Sequence, residues 1–187
     1  MNNSRKNLIK KVALVGILTS LYVVMSLTLK IPIGIGNIQL DMGYVALTVA
    51  CFTVGPWAAF VGGVGAAIES ILFSAYGISY GWIAMNIAIG LILGFIFKIS
   101  PSLSVRYEDM GMNIFLIALA VIIGVSIKTA IECSLYSIPL AVKIPKSLTA
   151  FLIDTTVMVI GLFVVKPVNK LLRGGKINGQ KNRKTSA

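Results

Sequence analysis

The strongest constraint on this chain is where its Lys and Arg residues stand relative to its long apolar runs. Between Val12 and Val165 lie about six stretches long enough, or nearly so, to cross a hydrocarbon core roughly 30 Å thick. Arg5, Lys6, Lys10 and Lys11 precede the first run. Lys166, Lys170, Arg173, Lys176, Lys181, Arg183 and Lys184 follow the last. Cytoplasmic flanks of membrane proteins carry such an excess. With both ends inside, the number of crossings is even. The expected fold is therefore an all-α integral membrane protein, a six-transmembrane-helix bundle with both termini cytoplasmic.

Composition supports a membrane interior. The chain is 57% hydrophobic and 12% charged, where a soluble domain has about 45–50% and about 25%. Three regions are expected: a basic cytoplasmic N-terminus over 1–11, the membrane domain over 12–166, and a basic, disordered cytoplasmic tail over 167–187. The first apolar run, Val12–Leu29, is longer than the roughly 7–15-residue core of a signal peptide and reads as a retained helix. The charge of +11 marks membrane flanks rather than a nucleic-acid site, because no folded reading element accompanies it.

The predicted helices run from Val12 to Leu29, Gly43 to Val54, Trp57 to Ala75, Ile83 to Phe97, Met112 to Ser137 and Ser147 to Val165. Gly55-Pro56 is a turn signal between the second and third. The second, at about 1.5 Å per residue, covers only about 18 Å and is short for a crossing. This layout puts thirteen basic residues inside, including Lys98 and Arg106, and Lys30, Lys143 and Lys146 outside.

Small residues recur at 55, 59, 62–63, 66–67 and 70 on the third helix and at Gly90 and Gly94 on the fourth. Such stripes let helix backbones approach closely in lipid. Ala13, Gly16 and Ser20 make a shorter stripe on the first helix, free to pack internally or to dock an outside helix.

Charges at membrane depth are costly and usually face a partner or a cavity. Lys128 and Glu132 are four apart and share a helix face. They either neutralise each other or grip a ligand. Glu69 lacks a partner on its own helix; it is protonated, reaches Lys128 across the bundle, or binds substrate. Asp154, Asn86, Asn37, Gln39 and Asp41 lie towards the outer side and are candidates to line or cover a pocket. Trp82, Tyr80, Tyr76 and Tyr136 are near the same level, placed either to anchor at the interface or to stack on a ring. Cys51 and Cys133 sit in apolar segments without metal-ligand spacing. The sequence has no His, the commonest general base and metal ligand, and no Gly-rich Lys-Ser/Thr phosphate loop. Neither a metal, a cofactor nor ATP hydrolysis by this chain is expected.

The run Ile35-Gly-Asn-Ile-Gln-Leu-Asp-Met-Gly-Tyr44, then Phe52-Thr-Val-Gly-Pro-Trp-Ala-Ala-Phe-Val-Gly-Gly63, then Gly81-Trp-Ile-Ala-Met-Asn-Ile-Ala-Ile-Gly-Leu-Ile-Leu-Gly94 resembles the substrate-binding S components of energy-coupling factor (ECF) vitamin transporters. The resemblance implies a six-helix bundle in the bacterial plasma membrane that captures a vitamin or related micronutrient, such as riboflavin or folate, from outside. It also implies a membrane coupling protein (T component) and two cytoplasmic ATPases as partners, with the link Lys30–Asp41 as a lid. Family members dock through small residues on helix 1, commonly Ala-x-x-x-Ala. Here Ala13, Gly16 and Ser20 are the nearest match, with Ile17 where Ala is expected. A different class is a self-contained proton- or ion-coupled carrier or channel using Lys128, Glu132 and Glu69, which needs no ATPase. An enzyme using Glu69, Glu132 or Asp154 lacks both His and a metal cluster, and a purely structural protein leaves the buried charges unexplained.

Overall fold

The computed structural model describes residues 3–32, 39–73, 77–99 and 110–184. Helix α1 spans Asn3–Thr28 and is followed by strands β1 (Lys30–Pro32) and β2 (Gln39–Asp41). Then come α2 (Gly43–Val54), a 3-10 turn (Gly55–Trp57), α3 (Ala58–Phe73), α4 (Tyr80–Ile99), α5 (Met110–Tyr136) and α6 (Leu140–Lys184). Among the described residues, five helical stretches are long and apolar enough to cross a membrane: Asn7–Thr28, Gly43–Leu72, Tyr80–Ile99, Met110–Tyr136 and Leu140–Val165.

The stretch Gly43–Leu72 is not one rod. Gly55 has φ +65°, which glycine adopts without steric cost, and Pro56 opens the turn. Ser26 of α1 hydrogen-bonds both Asp41, just before α2, and Glu69, near the end of α3. The start of α2 and the end of α3 are therefore level, so the chain doubles back at Gly55–Trp57.

Helix α2 is apolar on every side and buried over Gly43–Cys51 and at Val54, as expected for a helix at a bundle centre. It packs on α1, α4 and α6, while α3 lies between α1 and α4, and α5 between α4 and α6. Glycines set these spacings. A Cβ on Gly90 would stand 2.7 Å from Ala59 N and 2.8 Å from Ala58 O, and one on Gly62 would stand 2.9 Å from Asn86 O. The small-residue face of α3 thus meets α4. At the basic end of the bundle, Lys11 lies over the Trp57 ring at 5.8 Å.

Two stretches differ from the sequence expectation. The link Lys30–Asp41 carries a two-stranded antiparallel pairing, Lys30 opposite Asp41 and Pro32 opposite Gln39. Helix α6 begins at Leu140 rather than Ser147, because Ser137 takes a positive φ of 50° and completes a tight turn after α5. Lys143, expected in an outer link, is thereby carried onto α6. At its other end the α6 backbone continues helically past Pro167 to Lys184, where a disordered tail was expected.

Candidate functional site

Polar residues from every helix gather at the end of the bundle opposite Lys11 and Trp57, in two adjoining clusters. The first ties the hairpin mouth to α1 and α3. Lys30 on β1 makes an ion pair with Glu69. The Ser26 hydroxyl lies 2.6 and 2.7 Å from the two Asp41 carboxyl oxygens and 2.8 Å from Glu69 Oε2. A hydroxyl carries one proton, so it serves one of these carboxyls at a time. The Gly43 N–H donates to Asp41 Oδ1 at 2.8 Å. Burial pushes the Asp41 carboxyl above its ordinary range and the charge of Glu69 adds to this, while Ser26, the Gly43 N–H and Lys30 oppose it.

The second cluster lies between α2, α4, α5 and α6. Glu132 pairs with Lys143 across the short α5–α6 turn. Of the two readings of Lys128 and Glu132, mutual neutralisation is not what the structure shows: among the described residues they make no ion pair within 4 Å, and Glu132 pairs with Lys143 of α6. Lys128 instead stands 4.4 Å from the centre of the Trp82 ring, a favourable position over the negative face of the indole. Its ammonium also feels the charges of Glu132, Asp154, Lys143 and Glu69. Trp82 meets Tyr44 edge to face, with centroids 5.8 Å apart and planes at 73°. Tyr44 in turn faces Asp154. Gly81 is required here, since a Cβ would stand 2.9 Å from Glu132 Cγ and 3.0 Å from the Lys128 carbonyl.

Trp82 Nε1 is buried without a hydrogen-bond partner among the described residues, whereas the buried Tyr44 hydroxyl and Asp154 carboxyl are each other's polar partner. A buried atom left without a partner costs about 1–3 kcal/mol.

The other expected site residues divide plainly. Glu69 reaches Lys30 rather than Lys128. Asn86 is fully buried (0%), donates to the Trp82 carbonyl at 2.9 Å and accepts from Tyr22 Oη at 3.2 Å, so it joins α1 to α4. Tyr80 and Tyr136 are 57% and 51% exposed at the rim, and Gln39 is exposed on β2. Asn37 and Tyr76 lie outside the described residues. Ala13, Gly16 and Ser20 are exposed on α1, with open space beside Gly16 and Ile17 65% exposed among them. Sequence reasoning missed Ser26, Tyr44 and Lys143 as site residues. A Tyr three positions after an acid that opens an apolar helix was the available signal for Tyr44.

Comparison with known proteins gives three results. The family profile of the ECF-type riboflavin transporter S component matches residues 6–172. A UPF0397 protein of Lactobacillus johnsonii (strain CNCM I-12250 / La1 / NCC 533) is 26% identical over 172 residues, covering 89% of this chain and 92% of that protein. The crystal structure of an S-component for biotin from an ECF-type ABC transporter aligns with a TM-score of 0.70 at 16% identity, covering 91% of this chain and 95% of that one. At that identity the structural likeness speaks to the fold.

Proposed function

We propose that this chain, which belongs to the family of ECF-type riboflavin transporter S components, takes a flat heteroaromatic vitamin against Trp82 and Tyr44. Members of this family are the vitamin-binding subunits of transporters, not enzymes. The observation that carries the ligand reading is the Trp82–Tyr44 pair, with Lys128 over the indole, Asp154 beside Tyr44 and a buried Trp82 Nε1 that has no hydrogen-bond partner among the described residues. Ring stacking gains apolar contact on the aromatic faces, and donors and acceptors on a heterocycle edge can meet Lys128 and Trp82 Nε1. Riboflavin is the first candidate, from the family's own description and the fit of a flat, polar-edged ring.

The reversal at Gly55–Trp57 supports counting α2 and α3 as separate crossings, which makes six. The basic flanks support both termini in the cytoplasm and the polar end outside. On this reading the protein sits in a bacterial plasma membrane. It hands its ligand to a membrane coupling protein driven by two cytoplasmic ATPases, and it docks through the exposed Ala13, Gly16 and Ser20 face. The paired strands Lys30–Pro32 and Gln39–Asp41 cover the site.

The test is mass spectrometry of small molecules released from purified protein, joined to riboflavin titration by fluorescence quenching. One flat vitamin at near-stoichiometric yield is expected, and Trp82→Ala should weaken its binding about 10- to 100-fold, the loss of one good stacking contact. A released ligand without a ring, bound equally well by Trp82→Ala, would refute the reading.

A further inference from the structure

The cluster at the mouth offers its one hydroxyl more acceptors than it can serve. Ser26 Oγ lies 2.6 and 2.7 Å from the two Asp41 carboxyl oxygens and 2.8 Å from Glu69 Oε2. Its single proton reaches one carboxyl. With both acids ionised, the other carboxylate faces a hydroxyl lone pair at hydrogen-bonding distance, which is repulsive. A proton on Asp41 removes the conflict. The Gly43 N–H donates to Asp41 Oδ1 at 2.8 Å, which leaves Oδ2, 2.7 Å from the hydroxyl, to carry that proton. Asp41 then donates to Ser26, Ser26 donates to Glu69 Oε2, and Lys30 completes the chain on Glu69 Oε1.

Each member of this chain belongs to a different element: Ser26 to α1, Glu69 to α3, Lys30 to β1 and Asp41 to β2, with Lys30 and Asp41 paired across the strands. Ser26, Asp41 and Glu69 are 0%, 3% and 7% exposed. Tyr22 of α1, Tyr44 of α2 and Asp154 of α6 also lie within the field of Asp41, and none of them brings a positive charge. Lys30 does, and it is already paired with Glu69. We propose that the mouth is a proton-operated latch: one proton held along Asp41–Ser26–Glu69 fastens the two strands to α1 and α3, and its loss frees them. The effect on ligand rests on the reading that these strands cover the site. Its sign follows from linkage. Lifting the strands returns Asp41 to water and to its ordinary value of 3.8, whereas in the closed mouth burial, and then the charge of Glu69, hold it higher. The closed mouth therefore binds the proton more tightly. Its advantage is complete below 3.8 and is lost as pH rises through the raised value. Acid keeps the ligand covered, and rising pH lets the strands part.

The experiment reads hydrogen exchange of the Gln39–Asp41 amides in detergent-purified protein, as protection relative to the unstructured chain, so that the intrinsic pH dependence of exchange cancels. From neutral to mildly acidic pH, wild-type protection should rise by up to about 10-fold per pH unit, the limit for a single proton. Asp41→Asn imitates the protonated acid: its amide N–H donates to Ser26 and its carbonyl accepts from the Gly43 N–H. The variant should be as protected at neutral pH as the wild type is in acid, and indifferent to pH. Riboflavin release, followed by flavin fluorescence, should slow over the same range in the wild type and be slow throughout in the variant. Wild-type protection that ignores pH, or protection that still follows pH in a folded Asp41→Asn variant, overturns the latch. Release that ignores pH while protection follows it overturns the hold of the latch on the ligand and leaves the aromatic site standing. If no flat ring binds, the ligand reading falls and wild-type protection still decides the latch, as it does if Asp41→Asn fails to fold.

Discussion

Replacing Ser26 by Ala tests the join between the hairpin mouth and the bundle. The Ser26 side chain is fully buried (0%) and lies within 2.8 Å of both Asp41 and Glu69, which are 3% and 7% exposed. A hydrogen bond to a charged group contributes about 1.5–3 kcal/mol. The loss stops short of the roughly 3–5 kcal/mol of a broken buried ion pair, because Asp41 keeps the Gly43 N–H and Glu69 keeps Lys30. A deficit of about 2 kcal/mol lowers the melting temperature by about 4–8 °C at this chain length. The deficit must also depend on pH. Asp41 has its folded-state pKa raised from the ordinary 3.8, so its stabilising contribution is complete below that value and is lost as pH rises through the raised one. The Ser26 bond holds the raised value down, and its removal lets that value climb further. The variant therefore gains more stability than the wild type on acidification, and the gap between them closes. The assay is thermal unfolding in detergent by Trp fluorescence at neutral and mildly acidic pH. A variant that melts with the wild type at neutral pH, or a gap that widens in acid, would falsify the assignment of the hydroxyl to these carboxyls.

Gly90→Ala should be less stable than Gly16→Ala by about 1–3 kcal/mol, the usual cost of overpacking. Both gain similar helix propensity, but only at Gly90 does the new carbon meet backbone, 2.7 Å from Ala59 N, while Gly16 faces open space; equal melting curves would mean that α3 and α4 do not pack through this glycine. Gly16→Leu and Ser20→Leu should leave ligand affinity unchanged and abolish ATP-driven uptake in cells that supply the coupling proteins. Uptake at the wild-type rate would remove this face of α1 from docking.

Much of this architecture could be read from the chain, and the part that could not has a common cause. The bounds of α2, Gly43–Val54, and the reversal at Gly55-Pro56 follow from local signals: an apolar run, a glycine able to take φ +65° and a proline to open the turn. The contact of α3 with α4 was likewise written in the spacing of Gly62, Gly63, Gly90 and Gly94. What the chain did not disclose is which charge meets which. Lys128 and Glu132 share a helix face and looked like partners, yet Glu132 is claimed by Lys143, which a tight turn at Ser137 brings within reach. Glu69 finds Lys30 from 39 residues away. Local periodicity assigns faces, whereas ion pairs at membrane depth are settled by which helices become neighbours and at what level. That same exchange of partners matters for function. Had Lys128 and Glu132 neutralised each other, the charge over Trp82 would be half of an ion pair and not a lone ammonium group. Because Lys143 takes Glu132, Lys128 is left over the Trp82 ring without an ion pair within 4 Å among the described residues.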